Sequence, residues 1–150
     1  MRMLVQRVKE ASVAINGEEY SAIGPGLLVF LGIEEADNGD DIDWLVAKVV
    51  NLRLFDDSRV VMNLSALETG KEIMIISQFT LHASTKKGNR PSYIRAARPE
   101  QAVPLYEAFI ARTEDMIDHR VSTGVFGAMM AVKLINDGPV TIFIDSRNRE

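Results

Sequence analysis

The sequence predicts an α+β fold: a curled, largely antiparallel, barrel-like β-sheet carrying two main helices, within a single domain of residues 1–150. Three observations lead to it. Runs rich in β-branched residues succeed one another through both halves of the chain. Two stretches of 3.6-residue period are inserted between them. A chain of 150 residues, 47% hydrophobic and 25% charged, is long enough for one packed core and short for two.

"MLVQRV" (3–8) and "ASVAI" (11–15) read as short strands separated by Lys9 and Glu10, with "GEEY" as the turn that follows. "PGLLVFLGI" (25–33) is apolar without alternation, which suits a strand covered on both faces. In "DNGDDIDWLVAKVVNLRLF" (37–55) the period changes. Ile42, Leu45, Val46, Val49 and Val50 form the stripe of an amphipathic helix, with Asp37, Asn38 or Asp40 as N-cap and Lys48 and Arg53 suited to the negative end of its dipole. "EIMIISQF" (72–79) is the next strand. "HASTKKGNRPSYIRAARPE" (82–100) is irregular, and so long a loop in a compact domain is functional or disordered; Tyr93 and Ile94 favour an ordered one. "PLYEAFIARTEDMI" (104–117) is the second helix, with Leu105, Phe109, Ile110, Met116 and Ile117 facing inward. The end, "RVSTGVFGAMMAVKLINDGPVTIFID" (120–145), reads as strands broken at Gly124 and at Asn136 to Pro139.

The absence of cysteine excludes disulfides and thiolate metal sites and points to a reducing, cytoplasmic compartment. "MRMLVQRVKEASV" lacks the apolar core of a signal peptide, and no apolar run reaches the roughly 20 residues of a membrane span, so neither export nor membrane embedding is expected. A net charge of −4 argues against a general nucleic-acid surface, DNA included. The charge is unevenly spread, however. Between Ile73 and Pro99 lie Lys86, Lys87, Arg90, Arg95 and Arg98 and no acidic residue, which leaves 12 basic against 21 acidic residues elsewhere. Such a local positive field is either a solvated loop or a phosphate-binding one, and its position beside "SQFT" favours the second. Tyr93 there suits stacking on a base or a place in the core or an interface.

No metal or cofactor is expected. His82 and His119 are the only histidines, 37 residues apart and without carboxylates at ligand spacing. No phosphate-cradling glycine loop is present, and no G-x-S-x-G elbow supports a Ser-His-Asp hydrolase. Ser77, Gln78, Phe79 and Thr80 offer other means. At a strand end the N–H groups of Phe79 and Thr80 lose ladder partners, Gln78 supplies an amide, and Ser77 and Thr80 supply hydroxyls, a set that can polarise an ester carbonyl. From these four residues alone, a strand end that bonds a neighbouring loop is the commoner use of Ser and Thr. "NDGPVT" (136–141) also has two readings. Asp-Gly between β-rich flanks signals a hairpin, whereas Pro139 removes an N–H where a return strand should pair. A cis Gly138-Pro139 bond would aim consecutive carbonyls alike, ready to capture an ammonium group.

"MRMLVQRV", "NLRLF" (51–55), "SQFTL" (77–81), "KGNRPSY" (87–93), "TGVFGAMM" (123–130) and "NDGPVT" resemble, collinearly and over the entire chain, the D-aminoacyl-tRNA deacylases, also called D-tyrosyl-tRNA deacylases. Each motif alone is weak; "SQFT" followed by "GPVT" is specific. The resemblance implies a homodimeric enzyme that hydrolyses the ester joining a D-amino acid, or glycine mischarged on tRNA-Ala, to tRNA, and that rejects L-aminoacyl-tRNA. It implies catalytic roles for Ser77, Gln78, Phe79 and Thr80, with the Phe79 ring packed away and its N–H in use. It further implies that Gly138 and Pro139, in a cis dipeptide, enter the partner's pocket, with Val140, Phe126 and Met129 as substrate contacts and Arg7 as brace of the dipeptide. Lys86, Lys87 and Arg90 would bind RNA.

Thr80 without an adjacent base is a poorly activated nucleophile, which favours assistance by the ribose 2′-hydroxyl. Met129, where many bacterial members carry an acid, and Tyr93, where phenylalanine is usual, depart from the family pattern and bear on pocket lining and dimer packing. Two other classes compete with the enzyme, a non-catalytic tRNA acceptor-end binding module and a dimeric structural protein. The intact "SQFT" and "GPVT" pair favours the enzyme.

Overall fold

The computed structural model describes residues 1–149. Its organising element is β1 (Arg2–Ile15), a single 14-residue strand rather than two short ones. Lys9 and Glu10 do not interrupt it; they mark a bulge, where the register against the last strand shifts. The chain turns at Asn16 and Gly17, both at positive φ, so "GEEY" opens β2 (Glu18–Ile23) instead of forming the turn. After Gly24 and Pro25 comes β3 (Gly26–Gly32). β2 and β3 pair antiparallel with successive parts of one edge of β1. The other edge is occupied by β8 (Ala131–Asp145) along nearly its full length.

β3 is buried on both faces, as its unbroken apolar run requires. Leu27, Val29 and Leu31 face one apolar cluster, which the helices cover; Leu28 faces a second, with Met74 and Ile76. The bulge at Lys9 divides β1 between the two. Met3 and Val5 belong to the first cluster and Val8, Ala11 and Val13 to the second, because one extra residue moves odd positions to the opposite face.

Helix α1 (Gly39–Asn51) buries Ile42, Leu45, Val46, Val49 and Val50, the five residues of the sequence stripe. Asn38 caps it, in a capping box with Asp41. A short hairpin of β4 (Phe55–Asp56) and β5 (Met62–Leu64) and the four-residue α2 (Ala66–Thr69) lead to β6 (Glu72–Ser77). Helix α3 (Pro99–Ile117) then precedes β7 (Ser122–Thr123). β6 is parallel to both β3 and β7, since each connection crosses over through a helix. The sheet is therefore mixed, antiparallel around β1 and parallel beyond β3, in order β2-β1-β3-β6-β7 with β8 on β1. It is nearly closed.

α3 begins five residues before the expected Pro104, because Pro99 takes the first helical turn and Pro104 is carried inside the helix. Its buried stripe is Ala102, Tyr106, Phe109, Thr113 and Ile117. Of the expected inward residues, Phe109 and Ile117 are buried, Leu105 and Ile110 pack at the margin, and Met116 is exposed. The stripe runs through Tyr106 and Thr113, and Met116 is left on the solvent side.

The break at Gly124 is present, since β7 ends at Thr123 and β8 starts at Ala131, but β8 is not ended by a hairpin at Asn136 to Pro139. It pairs Asn136 with Val8 and Thr141 with Gln6, so residues 137–140 stand opposite Arg7 alone and are pushed out of the ladder. Among the described residues no helix is long and apolar enough to cross a membrane, and no cluster of ligand-type side chains suits a metal ion.

Val60, between β4 and β5, takes φ 60° while 80% exposed. A left-handed conformation costs a non-glycine residue about 1–2 kcal/mol, and a β-branched one tolerates it poorly. Its exposure leaves little packing to lose. Val60→Gly is expected to raise stability by about 1 kcal/mol, read as a higher urea midpoint at unchanged slope.

Candidate active site

β6 ends at Ser77, and the Gln78 N–H makes a last rung to the Leu31 carbonyl at 2.7 Å. The chain then winds into a 3-10 turn, Phe79–His82. Gly32 permits it to settle directly on β3. A Cβ there would stand 2.9 Å from the Gln78 carbonyl oxygen and 3.1 Å from His82 Cδ2. From outside, Arg2 donates to the Leu81 carbonyl at 2.9 Å and pairs with Asp145 at 2.8 Å. As the first residues of a helical turn, Phe79 and Thr80 carry N–H groups with no intrahelical acceptor. The Gln78 amide donates to the Thr80 hydroxyl at 2.5 Å.

These residues border a cavity of about 460 Å³. Phe126 and Met129 line it with Ser77, Gln78, Phe79 and Thr80, as do Ala128 and Met130. Among the described residues no acid, lysine, arginine or histidine lines it. Behind it, Tyr106 packs 5.8 Å from the Phe126 ring and donates to the Ile75 carbonyl at 2.8 Å; burial holds its hydroxyl far above the ordinary phenol pKa. The Phe79 ring is not packed away. It is 56% exposed at the cavity edge and meets Tyr93 edge-on, with centroids 5.0 Å apart.

Gly138 and Pro139 do not line this cavity. The peptide bond between them is cis, and both residues are exposed on the expelled loop of β8. Two side chains close that loop. Asn136 accepts from the Val140 N–H at 3.1 Å and donates to the Val140 carbonyl at 3.0 Å. Arg7 donates to the Asp137 carbonyl at 3.1 Å and the Leu54 carbonyl at 2.5 Å, with the Asp137 carboxylate 3.4 Å away. Val140 turns inward, against the helix-side core, and is no part of the exposed tip.

The basic segment is an arm pinned by a two-way backbone bridge between Ser84 and Ser92, at 2.8 and 2.9 Å. Lys86, Lys87 and Arg90 are exposed at its tip, with no ion-pair partner among the described residues. Arg95 is committed inward, to Glu34 at 2.9 Å.

The profile of the D-Tyr-tRNA(Tyr) deacylase family matches residues 4–145. The chain belongs to that family. It is 60% identical to a D-aminoacyl-tRNA deacylase of Bacteroides thetaiotaomicron and 54% identical to one of Flavobacterium psychrophilum, over all of each chain. It is also similar to the solved c-Myc DNA Unwinding Element Binding Protein, with a TM-score of 0.90 and 40% identity over 97% of this chain and 98% of that one. The curled α+β architecture of this deacylase family is thus shared.

The chain brings together Ser77, Gln78, Phe79, Thr80, Phe126 and Met129, and separately Arg7, Gly138 and Pro139. Sequence reasoning missed Asn136, whose polar side chain just before Asp-Gly-Pro was a visible loop-closing signal, and Gly32, whose need for close approach was masked by a strand pattern. It also assigned no role to His82, which is buried beneath the turn and not in the cavity.

Burial holds the His82 pKa below its ordinary 6.5, outweighing the Gly32 backbone and Glu34, which favour the charged form. The Gly32 contact is weak, since neither ring nitrogen has a partner of hydrogen-bonding geometry. A pKa lowered on folding means that the unfolded chain binds the proton more readily. Stability is therefore full above about 6.5 and declines as pH falls from there through the lowered folded value. His82→Leu should remove that decline in urea titrations between pH 7 and 5, leaving only the carboxylate losses at lower pH.

Proposed function

We propose that this enzyme, which hydrolyses the ester of D-aminoacyl-tRNA, works as a homodimer with each active site assembled from both subunits. The cavity bordered by Ser77 to Thr80 receives the aminoacyl ester, and the partner's copy of Gly138 and Pro139 closes it. Several observations support this reading. The dipeptide is exposed, braced and absent from the cavity of its own chain. β8 pairs only with β1 among the described residues, so one edge of a 15-residue strand is available, with Ile135 and Phe143 exposed along it.

The reaction is addition of water to the ester carbonyl followed by departure of the ribose oxygen. The tetrahedral oxyanion is met by the N–H groups of Phe79 and Thr80, which have no intrahelical acceptor. The absence of a titratable side chain from the cavity lining is the observation that carries the mechanism. Thr80 has no base to accept its proton, and its hydroxyl already accepts from Gln78. The ribose 2′-hydroxyl beside the ester therefore relays the proton from the attacking water to the leaving 3′-oxygen. The protein contributes placement, exclusion of bulk water and oxyanion binding.

Chirality is set by the partner's dipeptide. Its carbonyl oxygens take the substrate ammonium, and the backbone occupies the place where an L side chain would project. Glycine, with no side chain, passes the same filter, so glycyl-tRNA mischarged on tRNA-Ala is a second substrate. Lys86, Lys87 and Arg90 bind acceptor-end phosphates, and the site of action is the cytoplasm, where charged tRNA is used.

Complementation tests the shared site. Gly138→Ala places a Cβ 2.7 Å from Val140 Cγ2 and 2.9 Å from its nitrogen, at φ 136°, so the dipeptide is displaced and its site inactivated. Ala128→Trp fills the cavity. Each variant is expected to be inactive alone, and an equal mixture after subunit exchange should recover about a quarter of wild-type sites, since half of the dimers are hybrids with one intact site each. No recovery from verified hybrids refutes the arrangement.

The proton relay makes a separate prediction. Thr80→Ala should keep single-turnover cleavage within about tenfold of wild type, whereas a 2′-deoxy terminal ribose should lower it by about 10²-fold or more. The reverse order of effects would restore Thr80 as nucleophile.

A further inference from the structure

The mechanism uses the Phe79 N–H and leaves its ring without a task. That ring is 56% exposed, and Tyr93, which meets it at 5.0 Å and 75°, is 39% exposed. Two neighbouring aromatic side chains at the rim of an apolar cavity are costly to leave in water unless something covers them. Their surroundings say what does. Phe79 borders the cavity, and Tyr93 follows the Ser84–Ser92 bridge at the base of the arm that carries Lys86, Lys87 and Arg90. Along the surface the order is ester site, aromatic pair, unpaired cations. A single-stranded nucleic acid offers the same order, as an esterified terminal sugar, then a base, then phosphates.

We propose that the Phe79–Tyr93 pair is a stacking platform for the nucleobase that precedes the esterified terminal nucleotide of tRNA. The terminal nucleotide itself occupies the cavity, against Phe126. The base before it is the first outside and rests on the exposed rings, which directs its phosphate to the arm. Stacking reads no sequence, since every base has a flat face, so the platform accepts any tRNA with an unpaired 3′ end. This rests on the placement of the ester proposed above.

The test compares two minimal substrates, a D-aminoacyl ester of adenosine and the same ester on the trinucleotide CCA, with wild type, Tyr93→Leu and Tyr93→Phe. For wild type, kcat/KM should be higher on the trinucleotide. Tyr93→Leu keeps apolar bulk but loses the ring, and should lower the trinucleotide-to-nucleoside ratio by about 5- to 150-fold, the range seen for removing one base-stacking aromatic. Tyr93→Phe should keep the wild-type ratio. A ratio near one in wild type, or one unchanged in Tyr93→Leu, overturns the platform while leaving the ester site in place. Failure of wild type to cleave either ester removes both. Dissociation of the dimer on Tyr93→Leu, measured by sedimentation at assay concentration, would assign the rings to contact with a second copy and also overturn the proposal.

Discussion

The structure turns on the place where the β1–β8 ladder cannot close. Five steps along β8, from Asn136 to Thr141, match two along β1, from Val8 to Gln6. The surplus has to leave the sheet, and Arg7 sits at the gap with only 12% of its side chain exposed. A guanidinium so placed needs acceptors in fixed directions, and it takes the carbonyls of Asp137 and Leu54. The expelled loop is thereby tied to the segment after α1 and given one conformation. The three additional residues also exchange faces along β8. Val132 and Leu134 pack on one cluster, whereas Val140, Ile142 and Ile144 pack on the other. One irregularity both displays Gly138 and Pro139 and lets β8 serve two cores.

The second site follows from a matching economy at β3. Its seven residues are almost wholly buried on both faces, and the connection through α1 brings the next strand alongside in parallel. A parallel β6 delivers its C-terminal end, with Ser77, to the same end of the sheet as Gly32. Because Gly32 has no side chain, the following turn closes tightly, and its first residues, Phe79 and Thr80, border the cavity. Rigid backbone thus supplies the polar groups of a site whose side chains are mostly apolar. Such donors do not titrate and do not reorient during the reaction, which is the preorganisation an oxyanion requires.

How much of this was legible depends on the range of the interaction. The α1 stripe, its N-cap and the double burial of β3 are local patterns, and each sits where periodicity placed it. The site motifs were legible too, because their residue types are odd for their positions: hydroxyls and an amide at the end of a core strand, a proline after Asp-Gly. What could not be read locally was pairing. Lys9 and Glu10 resemble a turn and read as a break in β1, and Asp-Gly-Pro resembles a hairpin and reads as a division of β8; in both cases the long partner strand keeps the chain in one strand. The resemblance implies a packed Phe79 ring, whereas the 3-10 turn leaves that residue exposed at the cavity rim. Periodicity also could not tell which proline opens α3, since both Pro99 and Pro104 fit a first turn.

Charge completes the account of selection. The molecule carries −4 overall, so polyanions are repelled from most of its surface and admitted where the basic arm outweighs the rest. Of the five cations in that segment, Arg95 neutralises the buried Glu34, and Arg98 stands at the start of α3. Lys86, Lys87 and Arg90 remain without an ion-pair partner among the described residues, held at the tip by a bridge that does not involve them, and in the proposed complex they meet phosphate. Attraction of this kind is indifferent to the amino acid carried, and nothing in the apolar cavity distinguishes one side chain by charge. Discrimination has to come from shape beside the α-carbon. A braced glycine backbone can supply that, since it lacks a side chain of its own and brings fixed carbonyls closest to the substrate. In the proposed arrangement affinity for RNA and choice of hand lie on different elements, the arm after β6 and the expelled loop of β8, and either can change without the other.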